Sequence, residues 1–172
     1  MLAPDAILVL TTGGTIDKLY FDELSRFQVG ESMVRRLLEL ARVTHAFSVE
    51  EVTRKDSLEL DDADRTAIAM RAGNAKEQRI VITHGTDTMT RTAQALANVS
   101  GKTIVLVGAL APARFSESDA AFNLGMAFAT AQCAPPGVYI TMNGWVFPGL
   151  EVVKDRAKGA FVLSSDTQYG LA

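Results

Sequence analysis

With 172 residues, 48% of them hydrophobic and 22% charged, the sequence has an ordinary globular composition, and residues 1–172 are expected to form a single cored domain. Seventeen basic against twenty acidic side chains give a formal charge of -3 with no Lys/Arg cluster, which argues against a nucleic-acid partner. Cys133 is the only cysteine and reads as a small core residue, an intrachain disulfide is excluded, and His45 and His84 lie too far apart to suggest a metal site, so no metal is expected.

The first apolar run, Ala6–Leu10, is too short to span a membrane and lacks the basic start and cleavage pattern of a signal peptide. It reads as a strand, and a cytoplasmic location with no membrane partner is expected. Directly after it comes Thr11-Thr12-Gly13-Gly14-Thr15, in which paired glycines let the backbone approach a ligand and present amide donors. A phosphate cradle is the rival reading, but no Lys-Ser/Thr follows and the GxGxxG spacing is absent. Val34, Leu37, Leu38 and Ala41 then recur at helical spacing, and Thr44–Val49 reads as the second strand.

Asp61 or Asp62 is a plausible helix cap, and Ser57 just before it reads equally well as a cap or turn hydroxyl. Arg79–Thr83 is nearly continuously apolar, as a strand covered on both faces should be. His84-Gly85-Thr86-Asp87-Thr88 follows it and again sets hydroxyls and a carboxylate at a strand end, while Met89, Ala93, Leu96 and Ala97 mark the next helix. Thr103–Val107 repeats the apolar strand. Ser116 is a candidate cap for the helix signalled by Ala120, Ala121, Leu124 and Phe128, and Val138–Met142 is the fifth strand. Ser164–Ala172 is polar and reads as a tail or an interface strap.

Strands and helices alternating in this way predict an α/β fold: an open, mostly parallel sheet with helices on both faces, joined by right-handed crossovers. Ligands of such sheets bind beyond the carboxyl ends of the strands, where both hydroxyl-bearing loops sit. Either loop alone could be turn chemistry, since Gly, Thr and Asp are common turn residues.

Together, Thr12-Gly13-Gly14-Thr15-Ile16 and Ile82-Thr83-His84-Gly85-Thr86-Asp87-Thr88-Met89 resemble the two signature segments of the bacterial-type L-asparaginases. Val107-Gly108-Ala109 with Pro112, Phe122-Asn123-Leu124, and Thr141-Met142-Asn143 followed by Lys154 resemble further landmarks of that family in the same order. The resemblance implies a fold like the asparaginase N-terminal domain, of Rossmann or flavodoxin type. It covers the larger N-terminal part of the usual member, which continues into a smaller α/β domain.

The activity implied is hydrolysis of L-asparagine to L-aspartate and ammonia without a cofactor. Thr15 would attack the side-chain amide to form an acyl-enzyme, although a loop threonine can equally cap the backbone. Thr86, Asp87 and Lys154 match the second catalytic group, in which the lysine, held by the aspartate, shuttles a proton; this suits a partly desolvated lysine rather than a surface one. Ser57 matches the residue binding the substrate α-carboxylate, Asp87 would also receive the α-ammonium, and Gly14 and Gly85 line the substrate pocket.

Two positions depart from the pattern. The glutamine that usually follows the serine is Leu58, which offers no hydrogen bond. The family's loop tyrosine aligns with Phe27, and Tyr20 is the candidate to take over its role. The acid that a neighbouring subunit's second domain gives to each pocket has no counterpart here, so another copy would supply one or the pocket would stay open. The partners implied are L-asparagine and a homo-oligomer, dimer or tetramer. A noncatalytic amino-acid- or amide-binding module, an amidase for another small amide, and an ammonia-supplying unit of a tRNA-dependent amidotransferase are the alternatives.

Overall fold

The computed structural model describes residues 5–21 and 26–165. Strand β1, Ile7–Gly13, is buried along its whole length. After a single 3-10 turn at Thr15–Asp17, strands β2, Lys18–Phe21, and β3, Arg26–Val29, form an antiparallel ribbon. Helix α1, Val34–Leu40, leads to β4, Phe47–Lys55. Helix α2, Asp62–Gly73, starts at a capping box in which the Asp61 carboxylate accepts from the Asp64 amide and Asp64 returns the bond.

Strand β5, Arg79–Thr83, helix α3, Met89–Ala95, strand β6, Thr103–Val107, helix α4, Ala120–Cys133, and strand β7, Gly137–Met142, continue the alternation. A two-residue turn, Asn143-Gly144 with both φ values positive, returns the chain antiparallel as β8, Trp145–Pro148, as such hairpins require. A second ribbon, β9, Val152–Asp155, with β10, Ala160–Leu163, closes the described chain.

The main sheet runs β4-β1-β5-β6-β7-β8, parallel except for β8. Alternate side chains fill two cores. Leu8, Leu10, Ile80, Ile82, Ile104 and Leu106 meet α2 and α3 on one face. Ile7, Val9, Val81, Val105 and Val107 meet α1 and α4 on the other. The expected α/β sheet with helices on both faces is therefore present.

The crossovers do not all share one hand. β5 to β6 and β6 to β7 step the same way across the sheet, yet α3 and α4 lie on opposite faces, so the two connections have opposite hands. The connections through α1 and α2 agree with that through α3, which leaves β6-α4-β7 as the left-handed exception to the strong right-handed preference. The long connection, residues 108–119, carries the chain onto that face and is pinned at its end by the Asp119 carboxylate, which takes the amides of Leu110 and Ala111.

Other expectations need correcting. The second strand begins at Phe47 rather than Thr44 and runs on to Lys55. Asp119, not Ser116, occupies the α4 cap position, and the Ser118 hydroxyl takes the Ala120 amide while Ser116 lies exposed in the preceding loop. Cys133 ends α4 on the exposed side instead of in the core. Of the polar terminal stretch, residues 166–172 lie outside the described residues.

Candidate active site

β1 sits at the point where the order of connection reverses: the chain leaves it toward β4 and returns on its other side as β5. The loops after β1 and β5 therefore part toward opposite faces and leave a crevice between them, where open α/β sheets bind ligands. Register holds the two strand ends level, Thr11 beside Thr83, and the Thr12 hydroxyl donates to the Thr83 carbonyl at 2.7 Å.

Above this point the loops touch through glycines. Gly14 has φ +88°, and a Cβ there would lie 2.4 Å from the Gly85 nitrogen; a Cβ on Gly85 would lie 2.6 Å from both Cβ and Oγ of Ser57. No side chain fits either gap, so the two loops touch at the residues just before Thr15 and Thr86. Thr15 opens the 3-10 turn on one side of that crevice. Ser57 is 2% exposed, and its carbonyl accepts the Thr88 hydroxyl at 2.7 Å, which fastens the 56–59 turn to the second loop.

Lys154 completes the cluster from the far end of the chain. On β9 it points to the same side as Val152, two residues earlier, which is buried in the core with α2 and α3. Its Nζ donates to Thr86 Oγ1 at 2.7 Å and to Asp87 Oδ1 at 2.7 Å. The lysine side chain is 16% exposed and that of Asp87 39%, so the amine is largely withdrawn from water while its carboxylate partner faces the crevice mouth.

Sequence reasoning passed over several residues that hold this arrangement. His84 is fully buried; its Nδ1 donates to the Gly85 carbonyl at 2.7 Å, which leaves Nε2 to accept from the Thr92 hydroxyl at 2.7 Å. Burial brings its pKa down to about 4, against the opposing pull of the Gly85 carbonyl, so the ring is a neutral brace. A histidine inside a strand-end motif was the available signal.

Asn123 bridges three segments: its amide donates to the Gly108 carbonyl and to Asp119, and its oxygen accepts the Asn143 amide at 2.9 Å. Burial works to raise the Asp119 pKa, but the Ala111 and Leu110 amides and the Asn123 side chain outweigh it and hold the carboxyl below its usual value. Gly108 in turn packs under Thr86, since a Cβ there would lie 3.1 Å from Thr86 Cγ2. The family landmarks at Asn123 and Asn143 thus meet at one junction beneath the second loop.

Two residues stand outside the cluster. Tyr20 is 51% exposed on the β2-β3 ribbon with its ring edge-on to Phe27, and among the described residues no hydrogen bond joins its hydroxyl to Thr15, Thr86 or Lys154. Leu58 is 66% exposed and lines a cleft of about 430 Å³ between that ribbon and the 54–59 segment, which the Lys18–Asp56 ion pair, 2.6 Å, ties together.

Known proteins share this framework. The chain is 33% identical to L-asparaginase 2 of Escherichia coli K12 over 181 residues, covering 98% of this chain and 51% of that protein. The crystal structure of L-asparaginase I from Vibrio cholerae superposes with a TM-score of 0.80 at 29% identity, over 94% of this chain and 52% of that one. A glutamyl-tRNA(Gln) amidotransferase subunit of Pyrococcus furiosus is 31% identical over 150 residues, 80% of this chain and 33% of that protein. The chain spans about half the length of the asparaginases it matches. Residues 6–172 match the family profile described as asparaginase, N-terminal, and the chain belongs to the asparaginase family.

Proposed function

We propose that this chain is an amidohydrolase that converts L-asparagine to L-aspartate and ammonia, in the cytoplasm and as a homo-oligomer, with Thr15 as nucleophile. The observation that carries the reading is the Lys154 amine, held 2.7 Å from both the Thr86 hydroxyl and the Asp87 carboxylate beside the turn that bears Thr15.

In this reading the Thr15 oxygen adds to the side-chain amide carbon while its proton leaves toward the Thr86–Lys154 pair. Collapse expels the amine, which carries away a proton as ammonia and leaves an ester on Thr15. Water, deprotonated by the same pair, then splits the ester and restores the hydroxyl. The Gly85 amide, with Ser57 beside it, would serve as a donor to the substrate, whereas the Gly14 amide is taken by the Lys55 carbonyl and Gly14 lines the pocket with bare backbone. Asp87 fixes the lysine and offers its exposed edge to the substrate ammonium.

Ammonia release from L-asparagine by the purified protein tests the proposal. Thr15→Ala and Lys154→Ala should each lower kcat by at least ~100-fold, as removal of a nucleophile or an acid–base partner does. Full activity in Thr15→Ala would end the reading. The exposed Leu58, in place of a hydrogen-bonding side chain, favours as a second reading an amidase for another small amide. Faster ammonia release from a different amide in a substrate panel would select it. A noncatalytic amide-binding module would instead gain stability from ligand without releasing ammonia.

A further inference from the structure

Two residues after Thr15, Asp17 is 1% exposed and has no part in the chemistry above. Its Oδ1 accepts the Met33 amide at 2.8 Å and the Ser32 hydroxyl at 3.1 Å, and its carbonyl accepts the Gly30 amide at 2.9 Å. One residue thus binds the segment 30–33, which follows the β2-β3 ribbon, through both main chain and side chain. Its own amide closes the 3-10 turn on the Gly14 carbonyl at 3.1 Å, and next to it the Ile16 carbonyl takes the Ala113 amide at 3.0 Å.

A carboxylate in such a place is costly. Burial pushes its pKa up, and the Met33 amide, the Ser32 hydroxyl and the charge of Arg114 only partly counter this, while Glu51 adds to it. Turns close without a buried charge, and apolar side chains fill such space at less cost. A local rule broken inside a functional loop points to function.

We propose that Asp17 is the positioning residue for Thr15: its carboxylate locks the turn Thr15–Asp17 against residues 30–33 and thereby sets the direction of the Thr15 hydroxyl. The claim rests on Thr15 being the nucleophile. Rotating that turn moves the attacking oxygen without altering Ser57, Asp87 or the Gly85 amide, so rate is lost while binding is kept.

The experiment combines steady-state ammonia release with amide hydrogen exchange on wild type, Asp17→Ala, Asp17→Asn and Ser32→Ala. Asp17→Ala should lower kcat by about 10–100-fold, the scale of a small misplacement of a reacting group, with KM within about threefold. Asp17→Asn keeps an oxygen acceptor for the Met33 amide and should recover most of the rate. In Asp17→Ala, exchange should quicken at Gly30, Met33 and Ala113 while the strands of the main sheet stay protected.

Unchanged exchange at those amides, or faster exchange with an unchanged kcat, would overturn the proposal. Should Asp17→Ala fail to fold, Ser32→Ala decides it: the half-buried hydroxyl that donates to Asp17 and accepts the Val34 amide is lost, and kcat should fall about two- to fivefold with exchange quickened at Gly30 and Met33. If wild type releases no ammonia, the hydrolase reading fails, and the exchange data still decide whether Asp17 locks the turn.

Discussion

The loop after β5 is held mainly by side chains, whereas the turn after β1 is held mainly by its main chain, with the Asp17 carboxylate as the side chain that joins in. In the first, the His84 ring braces the Gly85 carbonyl, Thr88 grips the Ser57 carbonyl, and Lys154 reaches Thr86 from another ribbon. In the second, the Gly14 amide bonds to the Lys55 carbonyl, the Asp17 carbonyl takes Gly30 and the Ile16 carbonyl takes Ala113. A loop built of side chains titrates and can be dismantled one residue at a time. A turn built largely of backbone resists most substitutions and yields to those that change its path or remove its one buried carboxylate.

The largest expected effect follows from that contrast. Gly14→Ala puts a Cβ 2.4 Å from the Gly85 backbone at φ +88°, where neither neighbour is a flexible side-chain end. Overpacking and strain together should cost on the order of 3 kcal/mol in unfolding free energy. Ammonia release should fall by more than ~100-fold, because the two loops are forced apart. A denaturant midpoint and a rate close to wild type would show that the contact between the glycines is not what joins the loops.

An effect on stability alone belongs to the other loop and appears with pH. His84 stays neutral in the folded protein down to about 4, whereas in the unfolded chain it takes a proton near 6.5. Between those values the unfolded state binds more protons, so stability from this residue is fully present above 6.5 and is lost as pH falls toward 4, by on the order of 3 kcal/mol. Denaturant unfolding at several pH values should show this slope in wild type and a flatter one in His84→Gln. Equal slopes in the two proteins would mean that the buried ring does not carry the pH dependence. Thr92→Val, which leaves Nε2 without its hydroxyl donor, should cost about 1–3 kcal/mol at neutral pH.

The same contrast explains what could be read in the sequence. β5 and β6 are continuous apolar runs buried on both faces, and Val34, Leu38, Leu124 and Phe128 of the helix stripes face the core, whereas Ala41 and Ala121 are exposed. The ribbons β2-β3 and β9-β10 consist of four-residue strands, several positions of which are only half buried, too short a stretch for period-two alternation to stand out. The hand of the α4 connection is invisible because an apolar stripe tells which side of the helix is buried, not which face of the sheet it covers. Lys154 and Thr86 are 68 residues apart, and nothing local joins them; only the family pattern named both. Asp17 carries no local signal, because its partners, Ser32 and the Met33 amide, lie beyond the ribbon.

The smallest effect concerns the ribbon itself and sharpens the comparison from the nucleophile side. Tyr20 was the sequence candidate for a hydroxyl that assists Thr15, yet its ring is edge-on to Phe27 with centroids 5.5 Å apart, and Phe27 continues to Phe115 at 6.1 Å. These contacts use faces and edges of the rings, which phenylalanine shares, and leave the phenol oxygen aside. Tyr20→Phe should therefore change kcat by less than about threefold, since an interaction absent from the ground state and not made in the transition state adds nothing to the rate. Phe115→Ala removes the contact by which residues 108–119 support the ribbon, so it should affect the reaction more than Tyr20→Phe does. A loss of tenfold or more in Tyr20→Phe, with KM unchanged, would instead place the hydroxyl on the reacting atoms after the ribbon moves in, and would add a second side chain, beside Asp17, on which the turn after β1 depends.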